Sequence, residues 1–321
     1  MLFDTDIDIK EERILHLGRP LLDILLEDRT AKRNIIWATS DYEHLGVEYD
    51  AKCEITVPLI TGIHSKLIQP RITKAKEHQI NRTKIKAEVF TSSWICNQQN
   101  NLVDEKWFSR RNVFNSPTES SWITFMDPIV FPKDKNKRWE AYVEARRLEI
   151  SCGEAPYLVS RYDTVSGDII EIEERIGLLD RKLRIINENA ESETDWLQWS
   201  LRAFQSVYGY EYQGDNLLLA RENLLYTFVD NMLYKLKRNP TIKELCAVAR
   251  VISWNIWQMD GMTCTVPFGK KEERYHQMTL SDMMVAGQEQ GVPRQQTCII
   301  KDWRSKVIMT YKSLLEGNGN E

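Results

Sequence analysis

From about residue 147 onward, three short strand-like runs that each reach an acid alternate with longer helix-like runs. "RRLEI" reaches Glu149, "YGYEYQG" holds Glu211 and "NIWQMDG" ends at Asp260. Between them, "ESETDWLQWSLRAFQSVYG" sets Trp196, Trp199, Leu201, Phe204 and Val207 in a stripe behind Ser192 and Thr194, which are suited to capping. "DNLLLARENLLYTFVDNMLYKLK" reads as a long helix capped by Asp215, and "TIKELCAVARVIS" as another helix. Parallel strands need a crossover, so this alternation predicts an α/β sheet with ligands at the carboxyl ends of its strands. Acids placed there repel phosphate. They suit a ligand with hydroxyls, an exocyclic amine and positive charge.

The N-terminal part reads differently. "DIKEERILHLGRPLLDILLED" (8–28) spaces Ile14, Leu15, Leu17, Leu21, Leu22, Ile24, Leu25 and Leu26 as an amphipathic helix bent at Gly18 and Pro20. "CEITVPLI" and "KLIQPRI" look β-like. "RITKAKEHQINRTKIK" carries Arg71, Lys74, Lys76, Arg82, Lys84 and Lys86, either as a solvated helix face or as one that contacts phosphates. Residues 111–138 are rich in turn formers and predict a long surface excursion, while "TVSGDIIEIEERIGLLDRKLRIINENA" predicts a hairpin or turn and then a helix. "TCIIKDWR" is a final strand candidate. The expected division is a mixed, largely helical region over 1–86 and an α/β domain over 87–321.

Composition narrows the function classes. The 6 cysteines are spread singly and the 5 histidines are dispersed, so neither a disulfide framework nor a metal site is expected. A net charge of −4 argues against coating nucleic acid through charge alone, but leaves room for a local basic groove. No apolar run is long enough for a membrane span, and "MLFDTDIDIKEER" lacks the apolar core of a signal peptide, so a cytoplasmic setting is expected.

"LEISCGEAPYLVSRYD" breaks its strand with Cys-Gly and small or cyclic residues, as either a turn that lets a ligand approach the backbone or a bare strand-to-helix connection. Its first part resembles the "D-P-x-C-G-x-G-x-x-L" motif of S-adenosylmethionine-dependent DNA adenine methyltransferases. Glu149 takes the Asp position, Cys152 and Gly153 match, and Leu158 closes the motif. Upstream, "AEVFTSSWICNQQNNLVD" is similar to their "G-E-x-F-T-P" segment through Glu88, Phe90 and Thr91, with Ser92 in place of proline. Downstream, "VYGYEYQGDNLLLAREN" resembles the segment whose acid bonds the ribose, at Glu211, and "NIWQMDGM" the one whose aspartate accepts the adenine amine, at Asp260. The order of these segments, across 87–262, is that of modification subunits of restriction systems.

The resemblance implies a Rossmann-like sheet with helices on both faces and S-adenosyl-L-methionine held by Glu88, Phe90, Thr91, Glu149, Cys152, Gly153, Glu211 and Asp260. The implied reaction is adenine-N6 methylation of DNA, with a specificity or nuclease subunit as partner. The chain departs from the pattern in two places. Ala155 stands where the motif has glycine, which is costly if that position needs a positive φ. No Pro-Pro dipeptide exists to form the Asn/Asp/Ser-Pro-Pro-aromatic tetrapeptide that grips and stacks the flipped base. Asp302 and Trp303 of "CIIKDWR" follow Asp260 at about the right place and are the base-facing candidates. "TVPFGK" keeps Pro267 and Phe268 but lies close behind Asp260, and Asp127-Pro128 suits only a permuted order. Few residues follow Asp260 for further strands or for groove readout, so the catalytic half is expected to be shortened. The competing reading is a catalytically degenerate methyltransferase-fold protein acting as a binding or regulatory module; an unrelated α/β enzyme also fits the alternation.

Overall fold

In the computed structural model the described residues are 7–74, 91–268 and 296–317. The bent N-terminal helix forms as α1 (Glu11–Leu17) and α2 (Arg19–Leu26), separated by Gly18 at φ +156° with a proline in the first turn of α2. Pro is pre-set for that position, while Gly18 supplies the turn between the helices. α2 buries Leu21, Leu22, Leu25 and Leu26. The β-like run after Cys53 folds otherwise: Pro58 starts a single helical turn, Val57–Ile60, and an isolated bridge between Ile36 and Glu54 is the strand pairing there. Arg71 opens a 3-10 turn, Arg71–Thr73. Residues 75–86 of the basic run lie outside the described residues.

After α3 (Ser93–Phe108), the excursion over 111–138 contains an antiparallel ribbon, Asn115–Pro117 with Trp122–Thr124. Next comes α4 (Trp139–Glu144). The three acid-bearing runs then form one parallel sheet of β1 (Arg147–Glu149), β2 (Val207–Glu211) and β3 (Ile256–Gln258) in that spatial order. The first crossover holds α5 (Leu178–Asn189) and α6 (Glu193–Gln205), and the second α7 (Gly214–Leu236) and α8 (Ile242–Asn255).

Caps explain the helix starts. The Ser192 Oγ accepts from the Asp195 amide at 3.1 Å. Thr241 and Glu244 form a reciprocal capping box, in which the Glu244 carboxylate accepts from the Thr241 amide at 2.7 Å. α7 begins at Gly214, one residue before the expected cap, because its backbone abuts the N-terminal chain. A Cβ there would sit 2.0 Å from the Ile36 carbonyl oxygen.

Helices cover one face of the sheet. The other face differs from expectation, because Tyr210 and Trp257 alternate onto it and meet a hairpin of β4 (Ile299–Lys301) and β5 (Ile308–Thr310), together with Tyr311 at the start of α9 (Tyr311–Gly317). A two-stranded ribbon thus takes the place of a second helix layer. Ile14, Trp37, Leu158, Leu218 and Ile252 belong to one continuous core that runs from the N-terminal stretch into the sheet region. Among the described residues no helix is long and apolar enough to cross a membrane.

Candidate functional site

The Cys-Gly loop leaves β1 in a conformation that few sequences adopt. Ser151, Gly153 and Ala155 have φ of 47°, 52° and 64°, so alternate residues turn left-handed. Ala155 occupies the left-handed region that the motif gives to glycine, with its methyl fully buried. Strain of this size persists where surrounding bonds over-determine the loop, and here they do. The Cys152 amide donates to the Tyr210 carbonyl at 2.9 Å, and the Gly153 amide to Glu211 Oε2 at 2.9 Å. Gly209 on β2 leaves room for the Cys152 side chain; a Cβ there would meet Sγ at 3.3 Å.

The two acids therefore tie the loop to the sheet. Glu211 Oε1 also accepts from the Tyr212 and Gln213 amides, at 2.9 and 3.1 Å. Glu149 accepts from the Tyr157 and Leu158 amides, at 3.3 and 3.1 Å. An ionised carboxylate has about four acceptor positions, so both retain capacity for a ligand. Burial pushes the Glu149 carboxyl up to about 8; its two amide donors pull it down, and the nearby Glu211 adds to the rise. Burial raises Glu211 as well, against three amide donors. The Cys152 thiol, buried beside both acids, is raised too.

These groups line a cleft of about 710 Å³ at the carboxyl ends of the strands. Thr91, Glu149, Cys152, Gly153 and Glu211 of the expected set lie in its wall, whereas Glu88 and Phe90 lie outside the described residues. Asp260 is not in the lining. It holds its own turn, with Oδ1 accepting from the Met262 and Thr263 amides at 2.8 and 3.3 Å. The structure thus joins two of the three strand-end acids and leaves the third at a turn.

Asp302 and Trp303 also stand elsewhere, by the amino-terminal end of β1. Asp302 pairs with Arg146 at 3.0 Å, and the Trp303 indole donates to Asn255 at 2.8 Å, just before β3. They sit in the turn after β4, at the end of the hairpin away from the cleft, and neither is among the residues that line it. The aromatic residues at the cleft are Tyr157, Tyr212 and Phe268, the last from the "TVPF" run. Phe268 and Tyr212 pack edge to face, with ring centres 6.1 Å apart.

Sequence reasoning missed one wall, formed by Ala38, Thr39, Ser40 and Ala51. A buried side chain delivers it: the Gln258 amide accepts from the Ile36 amide at 2.9 Å and donates to the Ile36 carbonyl at 2.8 Å, like a missing strand. The only sequence trace of this wall is "IIWATSD", an apolar run broken by turn formers. No lysine, arginine or histidine is among the described residues that line the cleft. Among the described residues no group of His, Cys, Asp and Glu could hold a metal ion. In comparisons with known proteins, no protein family, curated protein or solved structure matches this chain.

Proposed function

We propose that the cleft binds S-adenosylmethionine and that the chain is the cofactor-binding part of a DNA adenine-N6 methyltransferase or modification subunit, built on the first three strands of a Rossmann-like sheet. One observation carries this reading: two buried carboxylates at adjacent parallel strand ends face a roomy cleft whose described lining has no cationic side chain. Dinucleotides and nucleotide triphosphates need cations or free helix-end amides for their phosphates. A phosphate-free nucleoside with a sulfonium and an ammonium group needs the reverse, and the cleft lies within the usual size range for such ligands. The bound donor supplies an electrophilic methyl group. For their part, Glu211 offers its remaining acceptor capacity to ribose hydroxyls, Glu149 sets negative charge beside the cationic end, and Tyr212 with Phe268 flanks a planar ring.

The second reading, a binding module without methyl transfer, draws on a different observation: Asp302 and Trp303 are held at the other end of the sheet. Calorimetry with S-adenosylmethionine tests the cofactor site. Saturable one-site binding is expected, weakened at least tenfold in Glu211→Gln; no binding by the wild type overturns the proposal. Transfer of labelled methyl groups to DNA then separates the two readings, since the module alone transfers none.

A further inference from the structure

We infer that the open edge of β1 is a docking site for an extended, acidic strand of a partner protein, which adds to the sheet and reaches the mouth of the cleft. The inference does not rest on the methyl-donor reading. Among the described residues β1 pairs only with β2, and its other edge has no partner strand among them. The Arg147 amide points to β2, where it donates to the Ser206 carbonyl at 2.9 Å, so the Leu148 amide and carbonyl point outward. Parallel sheets are ordinarily covered, and an unpaired edge is a template for another strand.

Leu148 and, just beyond the strand, Ile150 are 44% and 64% exposed. Leu148 borders an apolar groove of about 210 Å³ that runs to Met309 and Leu314. Charge selects the occupant. The groove is flanked by the cations Arg146 and Lys301 against one acid, Asp302, which Arg146 already engages. Ile150 and Ser151 line the cleft, so a strand laid along β1 ends beside them and brings partner residues to the site. Main-chain pairing with alternate apolar side chains is an established mode of strand addition.

The probe is a synthetic peptide of about ten residues alternating valine and glutamate, titrated against the full chain by fluorescence anisotropy. The wild type should bind it. Binding should weaken at least tenfold in Leu148→Asp, at least tenfold when alternate peptide amides are N-methylated, and at least tenfold when lysine replaces glutamate. Circular dichroism checks that Leu148→Asp, a surface change, folds. No binding by the wild type, or binding indifferent to N-methylation or to Leu148→Asp, overturns the inference. Sedimentation of the wild type alone gives the remaining outcome: a dimer that Leu148→Asp dissociates assigns the edge to a second copy and overturns the acidic partner.

Discussion

Replacing Glu149 by glutamine should flatten the pH dependence of stability, and the size of the change follows from its surroundings. Burial holds the native carboxyl up to about 8, whereas an unfolded glutamate titrates near about 4.3. A carboxyl shifted upward on folding stabilises the native state below the unfolded pKa. That stabilisation is lost as pH rises through the native pKa, because across the window the native state keeps a proton that the unfolded chain has released. Each pH unit in the window lowers the folding constant by about tenfold, or about 1.4 kcal/mol, and the whole window is worth on the order of 5 kcal/mol. Glutamine keeps the shape and carries no proton. At pH 5, where both side chains are neutral and both can meet the Leu158 amide, wild type and variant should agree within about 1 kcal/mol. At pH 8 the variant should be several kcal/mol more stable. Urea unfolding followed by tryptophan fluorescence, repeated from pH 5 to 8.5, gives both curves, and their difference cancels the other titrating groups. A flat difference curve would mean that Glu149 is ionised in the native protein, and the argument from burial would fail.

Affinity for S-adenosylmethionine should rise with pH up to about 8, because the cation needs Glu149 ionised; calorimetry in buffers of different ionisation enthalpy would show proton release on binding. Gln258→Leu removes bonds to Ile36 and Tyr212; leaving those buried groups unsatisfied should lower stability by on the order of 3 kcal/mol in urea denaturation. Asp104→Ala strips the buried Arg181 guanidinium and the Tyr142 hydroxyl of their shared acceptor, and should cost about 3–5 kcal/mol by the same measurement. Ala155→Gly should shift stability by less than about 1 kcal/mol, since relief of the left-handed backbone offsets the loss of a buried methyl. A larger change in either direction would show that one of those two effects is absent.

The strand–acid pattern was legible because its information is local: a strand of a few residues, an acid at its end and capped helices between successive strands fix a parallel sheet. The Ser192 cap and the Gly18–Pro20 bend are legible for the same reason. Long-range partners could not. Asp302 followed Asp260 in the expected order, yet β4 folded back over Tyr210 and Trp257 instead of joining the sheet. Likewise Asp260 pointed to the cleft by sequence position, but the Asp-Gly step gave its carboxylate two closer amides. The wall at 38–40 depends on Gln258, more than two hundred residues away, and no periodicity encodes a side-chain amide acting as a strand. The run after Cys53 reads as β by its apolar composition, yet Pro58 sits in the first turn of a helix there.

The bond between Gln258 and the Ile36 backbone spans 222 positions. On the ribosome, the segment bearing Ala38 and Ser40 emerges early and has no β3 to lean on until most of the chain has been made. That bond is therefore among the last ties of this bank to form, whereas the Gly214 amide at the start of α7 donates to the Trp37 carbonyl at 2.9 Å before β3 exists.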